Sequence, residues 1–220
     1  MRVKVRWLKS GRSRAQGLLR CASAAFFLLG LLAIGFCAAA YFHAEIYQAY
    51  AGWRFEKSLS LPPPPKEPSR TAARSDQQRI LRFAAREGSV IGRIDIPRIG
   101  VSVMVVEGVQ ARNLKVAAGH IPGTALPGEE GNVGIAGHRD TFFRKLREVR
   151  ASDVITLTTL YGSYQYSVES TRVVEPGDVQ VLRPSSAAIL TLVTCYPFYY
   201  VGSAPGRFIV RARQISGPAG

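Results

Sequence analysis

An uninterrupted apolar stretch near the N-terminus is the strongest hydrophobic signal in the chain. Residues 21–42 contain no charged side chain. A helix of that length would extend about 33 Å, which is enough to cross a bilayer core of roughly 30 Å. The stretch therefore predicts a transmembrane anchor. The alternative is a cleaved signal peptide with its cleavage site at residues 38–40, but the apolar run is longer than the usual core of such a peptide.

From residue 88 onward the hydrophobic pattern changes to short runs rich in Val, Ile, Thr and Tyr, separated by Gly and Pro. This alternation is typical of strands joined by turns. It predicts strands over residues 90–96, 101–107, 132–138, 154–159, 164–174, 188–195 and 207–213. Short helices are predicted over 111–117 and 141–149. Many short strands with few helices indicate an all-β domain, a closed barrel or a sandwich, and argue against a Rossmann or α/β-hydrolase fold.

The same pattern divides the chain into regions. We expect a basic tail (1–20), the anchor (21–42), a juxtamembrane segment with a linker (43–87), one folded domain (88–215) and a flexible tail (216–220).

The linker contains a run of prolines that cannot be helical. Prolines occupy positions 62–65 and 68, which predicts a stiff spacer that holds the folded domain off the membrane surface. A short helix is predicted before the spacer, over 43–60, and helical spacing returns over 75–86.

Charge predicts the orientation of the anchor. Seven Arg and Lys residues precede residue 21, and no acidic residue occurs before Glu45. Basic flanks stay cytoplasmic, so we expect a single-pass plasma-membrane protein with its N-terminus inside and its folded domain outside. The net charge is +14, and subtracting these seven charges leaves +7 for the exterior part. That excess suits anionic envelope polymers or lipids, and no pattern typical of nucleic-acid binding accompanies it.

Cys195 is the candidate nucleophile. It closes the apolar run 187–195 and is the only cysteine outside the anchor, because Cys21 and Cys37 both lie within it. Exported domains usually pair their thiols, so an unpaired one suggests reactivity. The alternative is a buried strand cysteine that acts as a small hydrophobe.

A cysteine attacks as its thiolate, and a nearby base or cation helps to supply that form. His138 follows an apolar strand and is placed to project into a cleft. Arg207 opens the predicted strand after Cys195, so one hairpin would bring the two together, with the guanidinium as a donor to an oxyanion. His120 lies in a loop-like stretch that suits a structural role, and His43 adjoins the anchor. Taken singly, each of these residues also has an ordinary structural explanation.

Together, these segments resemble the sortases. The motifs that carry the resemblance are Thr-Leu-Val-Thr-Cys at 191–195, Gly-His-Arg-Asp at 137–140 and Arg-Phe-Ile-Val at 207–210. Within that family, the stretches 119–128 and 194–198 are most similar to class D sortases. The resemblance covers about residues 88–213 and implies a closed eight-stranded sortase-type β-barrel.

The resemblance also implies a function, that of a cysteine transpeptidase. Its catalytic set would be Cys195, His138 and Arg207, with Thr194 as a candidate substrate-binding residue. The implied partners are exported proteins with a C-terminal sorting signal and an amine acceptor on the cell envelope. The resemblance implies no cofactor. Family members often bind calcium, but Glu129-Glu130 is not an acidic cluster, so we predict no metal site.

Three alternatives stay open on the sequence. A cysteine endopeptidase would use the same Cys-His pair but let water complete the reaction. A non-enzymatic barrel would bind envelope polymers and keep Cys195 buried. A pilin-polymerising sortase would share the chemistry, although no segment resembling a lid precedes the predicted barrel.

Overall fold

The computed structural model describes residues 12–60, 86–200 and 202–217. The chain divides into two compact units, Met1–His43 and Ala44–Gly220. One helix, α1 (Arg12–Leu59), contributes residues to both units. The predicted linker prolines, and the helical pattern at 75–86 apart from Arg86, lie outside the described residues.

The described part of the first unit is helical and belongs to α1. The stretch Gln16–Leu59 has a mean hydropathy of 2.2 over its most apolar window, and none of that window is buried within the protein. Among the described residues, this is the one helix long and apolar enough to cross a membrane. Fully exposed Phe and Leu side chains are stable in lipid and unfavourable in water. The helix therefore fits a membrane anchor.

The second unit is a closed barrel of eight strands. Their bounds are β1 (Val90–Ile96), β2 (Val101–Glu107), β3 (Ala118–His120), β4 (Asn132–Ala136), β5 (Val154–Thr159), β6 (Gly162–Val174), β7 (Ile189–Tyr196) and β8 (Gly206–Ser216). The order around the barrel is β1-β2-β3-β4-β7-β8-β6-β5. The pairs β2·β3 and β4·β7 are parallel, and the other neighbouring pairs are antiparallel. A short helix, α2 (Ala111–Leu114), precedes β3, and 3₁₀ turns occur at Pro97–Ile99, Arg144–Glu148 and Val179–Leu182.

Alternating apolar residues of the strands fill the barrel. Ile94 and Ile96 of β1, and Ile155 and Leu157 of β5, have no exposed surface. In a strand, every second side chain points to the same face, so these positions turn inward together. The intervening residues, including the polar ones, lie on the outer face of the barrel.

The last turns of α1 pack on the outside of the barrel. Ala51 and Phe55 form a small buried cluster with Met104, which lies on the outer face of β2. The side chain of Gln48 accepts a hydrogen bond from the backbone N–H of Met104 (2.9 Å) and donates one to the carbonyl of Val116. These contacts place residues 44–59 in the same compact unit as the barrel, although the sequence assigns them to the segment before the linker.

The closed eight-stranded barrel confirms the predicted fold class. The structure adds β3, which the sequence pattern shows only as a loop because the strand has three residues and includes a glycine. The predicted helix 141–149 is a 3₁₀ turn over Arg144–Glu148, and the predicted helix 111–117 ends at Leu114. β8 continues to Ser216, one residue into the segment predicted as a tail.

Candidate active site

Two parallel strands bring His138 level with Cys195. In the β4·β7 ladder, Ala136 is aligned with Val193, and the backbone N–H of Gly137 continues the ladder by donating to the carbonyl of Val193 (3.1 Å). His138 lies two residues after Ala136, and Cys195 lies two residues after Val193. Because neighbouring strands are about 4.8 Å apart, we expect the backbones at 138 and 195 to be adjacent if the register continues past the end of β4.

The antiparallel neighbour of β7 brings in Arg207. The β7·β8 ladder pairs Cys195 directly with Arg207. Residues directly opposite each other in such a ladder have Cα atoms about 4.5–5.5 Å apart and side chains on the same face. The sequence prediction that one hairpin joins these two residues is therefore confirmed by the register.

The alternation of buried positions gives the direction of the Cys195 and Arg207 side chains. Leu190 and Leu192 of β7 and Val210 of β8 belong to the barrel interior. Cys195 and Arg207 fall on the opposite parity of their strands, so their side chains face outward. Cys195 carries a free thiol and is half-buried, as are His138 and Arg207. Cys195 is thus not a core cysteine, which was the alternative from the sequence.

The backbone around His138 is held by a tight turn. The N–H of Phe143 donates to the carbonyl of His138 (3.1 Å), and the ring of Phe143 is fully buried beneath Gly137. A Cβ atom at Gly137 would lie 2.7 Å from that ring, so any larger residue would displace the turn. The Gly-His sequence therefore has a packing reason as well as a chemical one.

Thr194 supports the site from inside the barrel. Its side chain is 2% exposed, and its hydroxyl donates to the carbonyl of Gly137 (2.8 Å). This bond ties the end of β4 to β7 immediately before the two reactive positions. A direct role of Thr194 in substrate binding stays a prediction, because the hydroxyl is already committed to this internal bond.

The guanidinium of Arg207 is partly fixed by its own loop. Its Nη1 atom donates to the carbonyls of Gly206 (2.9 Å) and Ala204 (3.3 Å). These bonds hold the side chain near the thiol's strand and leave further N–H groups for a substrate oxygen. A cleft of about 710 Å³ opens beside this residue, lined by Tyr196, Pro197, Pro205, Gly206, the end of β6 and the segment that follows it.

His120 does not join this group. It lies at the end of β3, is 2% exposed, and both ring nitrogens have partners within the protein. Nδ1 lies 2.8 Å from Oε2 of Glu107, and Nε2 lies 3.0 Å from both the carbonyl oxygen of Ala125 and Oγ1 of Thr124. The structural role suggested for this histidine by the sequence fits these contacts.

Arg139 is a residue that the sequence reasoning named only as part of a motif. Its guanidinium donates hydrogen bonds to backbone carbonyls of the connection between β7 and β8. The sequence signal for Arg139 was its position directly after a candidate catalytic histidine. An arginine that bonds a distant loop and a solvated arginine look the same in the sequence at this position.

The comparisons with known proteins agree with this geometry. The family model described as "Sortase domain" matches residues 94–215. The chain is 34% identical to sortase D of Bacillus subtilis over 154 residues, which covers 69% of this chain and 78% of that protein. It is 32% identical to sortase A of Listeria monocytogenes over 122 residues, covering 53% and 54%.

A solved structure shows the same relation in three dimensions. The sortase D5 transpeptidase of Clostridium perfringens matches with a TM-score of 0.62 and 28% identity, over 78% of this chain and 98% of that one. The family model covers more than half of the chain, and the relative from Bacillus subtilis covers most of the length of both proteins. The chain belongs to the sortase family, the cysteine transpeptidases that act on peptide bonds, and is similar to class D sortases.

Proposed function

We propose that Cys195, His138 and Arg207 are the catalytic set of a transpeptidase that transfers exported proteins to an amine of the cell envelope. The observation that carries the proposal is the strand register. The β7·β8 ladder pairs 195 with 207, and the contacts between β4 and β7 reach Gly137 and Thr194, the residues directly before 138 and 195. Cys195 and Arg207 face the outside of the barrel by the alternation of their strands, and all three side chains are half-buried. Few other arrangements of a thiol, an imidazole and a guanidinium serve acyl transfer so directly.

The first half of the reaction forms a thioester. The Cys195 thiolate attacks the backbone carbonyl of a short C-terminal sorting signal, and the new C–S bond converts it to a tetrahedral oxyanion. Arg207 donates hydrogen bonds to that oxygen; one such donor contributes roughly 3–4 kcal/mol. The peptide C–N bond then breaks, and the His138 imidazolium gives its proton to the leaving amine.

The second half reverses the proton transfer. An amine of the envelope attacks the thioester carbonyl and gives up a proton to the neutral His138 imidazole, and the thiolate of Cys195 leaves. The new amide bond keeps the exported protein attached to the envelope. Water would give hydrolysis instead, so the site favours transfer only if amine reaches the thioester faster than water does.

The anchor would hold this chemistry at the outer face of the plasma membrane. Seven basic residues precede the apolar segment and the first acidic residue follows it, which supports a cytoplasmic N-terminus. A membrane-impermeant maleimide applied to spheroplasts of expressing cells should label Cys195 without lysis. Labelling of Cys195 only after lysis would contradict this orientation.

The test of the proposed reaction uses the full-length chain in detergent micelles. The substrates are a library of peptides with short sorting motifs, and hydroxylamine serves as the amine acceptor. The wild-type chain should form a peptide hydroxamate, and Cys195→Ala should form none while keeping its melting temperature. Hydroxamate formation by Cys195→Ala would refute the role of the thiol, and cleavage without hydroxamate at any hydroxylamine concentration would identify a peptidase.

A further inference from the structure

One arginine side chain connects the strand end that carries His138 to the loop between β7 and β8. Arg139 donates from Nη1 to the carbonyl of Pro197 (3.0 Å) and from Nη2 to the carbonyls of Tyr200 (2.7 Å) and Gly202 (3.1 Å). Its guanidinium carbon also lies 5.8 Å from the centroid of the Tyr200 ring. Three carbonyls of one loop thus converge on a single planar cation.

The two ends of that loop are the other two catalytic positions. Pro197 follows Cys195 by two residues, and Gly202 precedes Arg207 by five. Arg139 itself is bonded covalently to His138. The β7·β8 ladder already pairs Cys195 with Arg207, and the Arg139 side chain adds a link from the residue after His138 to the loop that follows this pair.

The bonding pattern requires the shape of arginine. A guanidinium offers five N–H donors in one plane, so it can bind carbonyls in several directions at once. A lysine ammonium has three donors on one atom at the end of a flexible chain, and it cannot reproduce this spacing. Arg147 lies in the same β4–β5 connection as Arg139, and its guanidinium carbon lies 5.2 Å from the centroid of the Tyr199 ring. Among the described residues, no hydrogen bond from Arg147 to the backbone of the β7–β8 loop accompanies this contact.

We propose that Arg139 is a positioning residue for the transfer reaction. It holds the β7–β8 loop against the end of β4, and so fixes the thiol of Cys195 and the guanidinium of Arg207 relative to the imidazole of His138. The inference rests on the proposed function, because it assigns Arg139 a role through those three residues. Misplacing a reacting group by about 1 Å can reduce a rate by about 100-fold, so the loss should fall on kcat.

The test compares Arg139→Gln and Arg139→Lys with a matched control, Arg98→Gln, all in the full-length chain. Arg98 also bonds a backbone carbonyl, that of Glu148, and it belongs to the Pro97–Ile99 turn, outside β4, β7 and β8 and the loops that join them. Steady-state transfer from a sorting peptide to hydroxylamine gives kcat and KM, and a thermal melt gives stability. We expect kcat to fall about 10- to 100-fold in Arg139→Gln with KM within about twofold, and a smaller fall in Arg139→Lys.

Each result has a distinct meaning. An Arg139→Gln variant with wild-type kcat would overturn the inference, and so would a rise in KM alone, which would place the loop in substrate binding. If Arg98→Gln and Arg139→Gln lose the same melting temperature and the same kcat, the effect is general destabilisation. That result would also overturn the inference. Activity of Cys195→Ala would instead remove the proposed function itself, whatever the Arg139 variants do.

Discussion

Two histidines on neighbouring strands of the barrel have opposite surroundings. His120 ends β3 and is 2% exposed, with Glu107 at one ring nitrogen and Ala125 and Thr124 at the other. His138 follows the adjacent strand β4 and is half-buried. The pair teaches that residue type alone does not distinguish a structural imidazole from a candidate for catalysis. What distinguishes them is whether the protein has already used both nitrogens.

The difference follows from where each strand ends. His120 is covered by the turn that follows it, because Thr124 donates to the carbonyl of Ile121 (2.7 Å) and accepts from the N–H of Gly134 (3.0 Å). This turn closes over the imidazole. After His138 the chain instead folds inward to bury Phe143, and the imidazole stays half-buried.

The largest expected effect is the loss of activity in His138→Ala. Without the imidazole, no group at this position protonates the leaving amine or deprotonates the acceptor, so kcat should fall by about 10²- to 10⁴-fold. Stability should change little, because the side chain is half-exposed. Hydroxamate formation and a thermal melt on the same preparation measure both. Near-wild-type turnover in His138→Ala would remove the contrast between the two histidines.

A smaller loss is expected for Arg207→Lys. The substitution keeps the positive charge but replaces a planar set of donors with a single ammonium, so oxyanion stabilisation should weaken and kcat should fall by about 100-fold. Arg211→Lys is the matched control, since Arg211 lies on the same face of β8 and pairs with Glu169 at 3.5 Å. Equal rates for wild type and Arg207→Lys would mean that charge alone suffices at this position.

The opposite outcome is expected for His120→Ala, which should lower stability and spare the chemistry. Removing the imidazole leaves the Glu107 carboxylate, 12% exposed, without this partner and opens a space beneath the turn. The free energy of unfolding should fall by about 1–3 kcal/mol, while kcat per folded molecule changes less than in His138→Ala. Chemical denaturation followed by near-ultraviolet circular dichroism of the buried barrel tyrosines, Tyr164 and Tyr166, measures the first quantity. A loss of kcat with unchanged stability would make His120 part of the reaction.

The sequence predicted most strands of this barrel because they are runs rich in Val, Ile, Thr and Tyr that Gly and Pro separate. β1, β2 and β5 have the predicted bounds, and in β1 and β5 the buried positions also alternate. β3 was missed because three residues with a central glycine give no period to detect. The same reasoning predicted Cys195 and Arg207 together, since only a turn lies between their strands.

Other features of the site depend on contacts between distant segments. The strands that lead to His138 and Cys195 form a parallel ladder, β4·β7, and local patterns do not give the partner or register of parallel strands. The bonds from Arg139 to Pro197, and from Gln48 to Met104, join residues 58 and 56 positions apart. No spacing rule predicts such pairs.

The smallest expected effect concerns Asp153, a buried carboxylate in the turn before β5. Like His120, it has hydrogen-bond partners within the protein. Asp153 accepts hydrogen bonds from Nη2 of Arg98 (2.6 Å) and the N–H of Arg150 (2.7 Å), and the Arg98 guanidinium holds the pKa of this carboxyl below its ordinary value. A depressed pKa stabilises the fold above the unfolded value of about 4 and loses that contribution as pH falls below it. Asp153→Asn should therefore lower the melting temperature by a few degrees at pH 7 and by less as the pH falls below about 4, whereas the exposed control Glu148→Gln should change it little at either pH. An Asp153→Asn deficit that stays constant from pH 7 to pH 3 would mean that packing, and not the ion pair, is what this residue contributes.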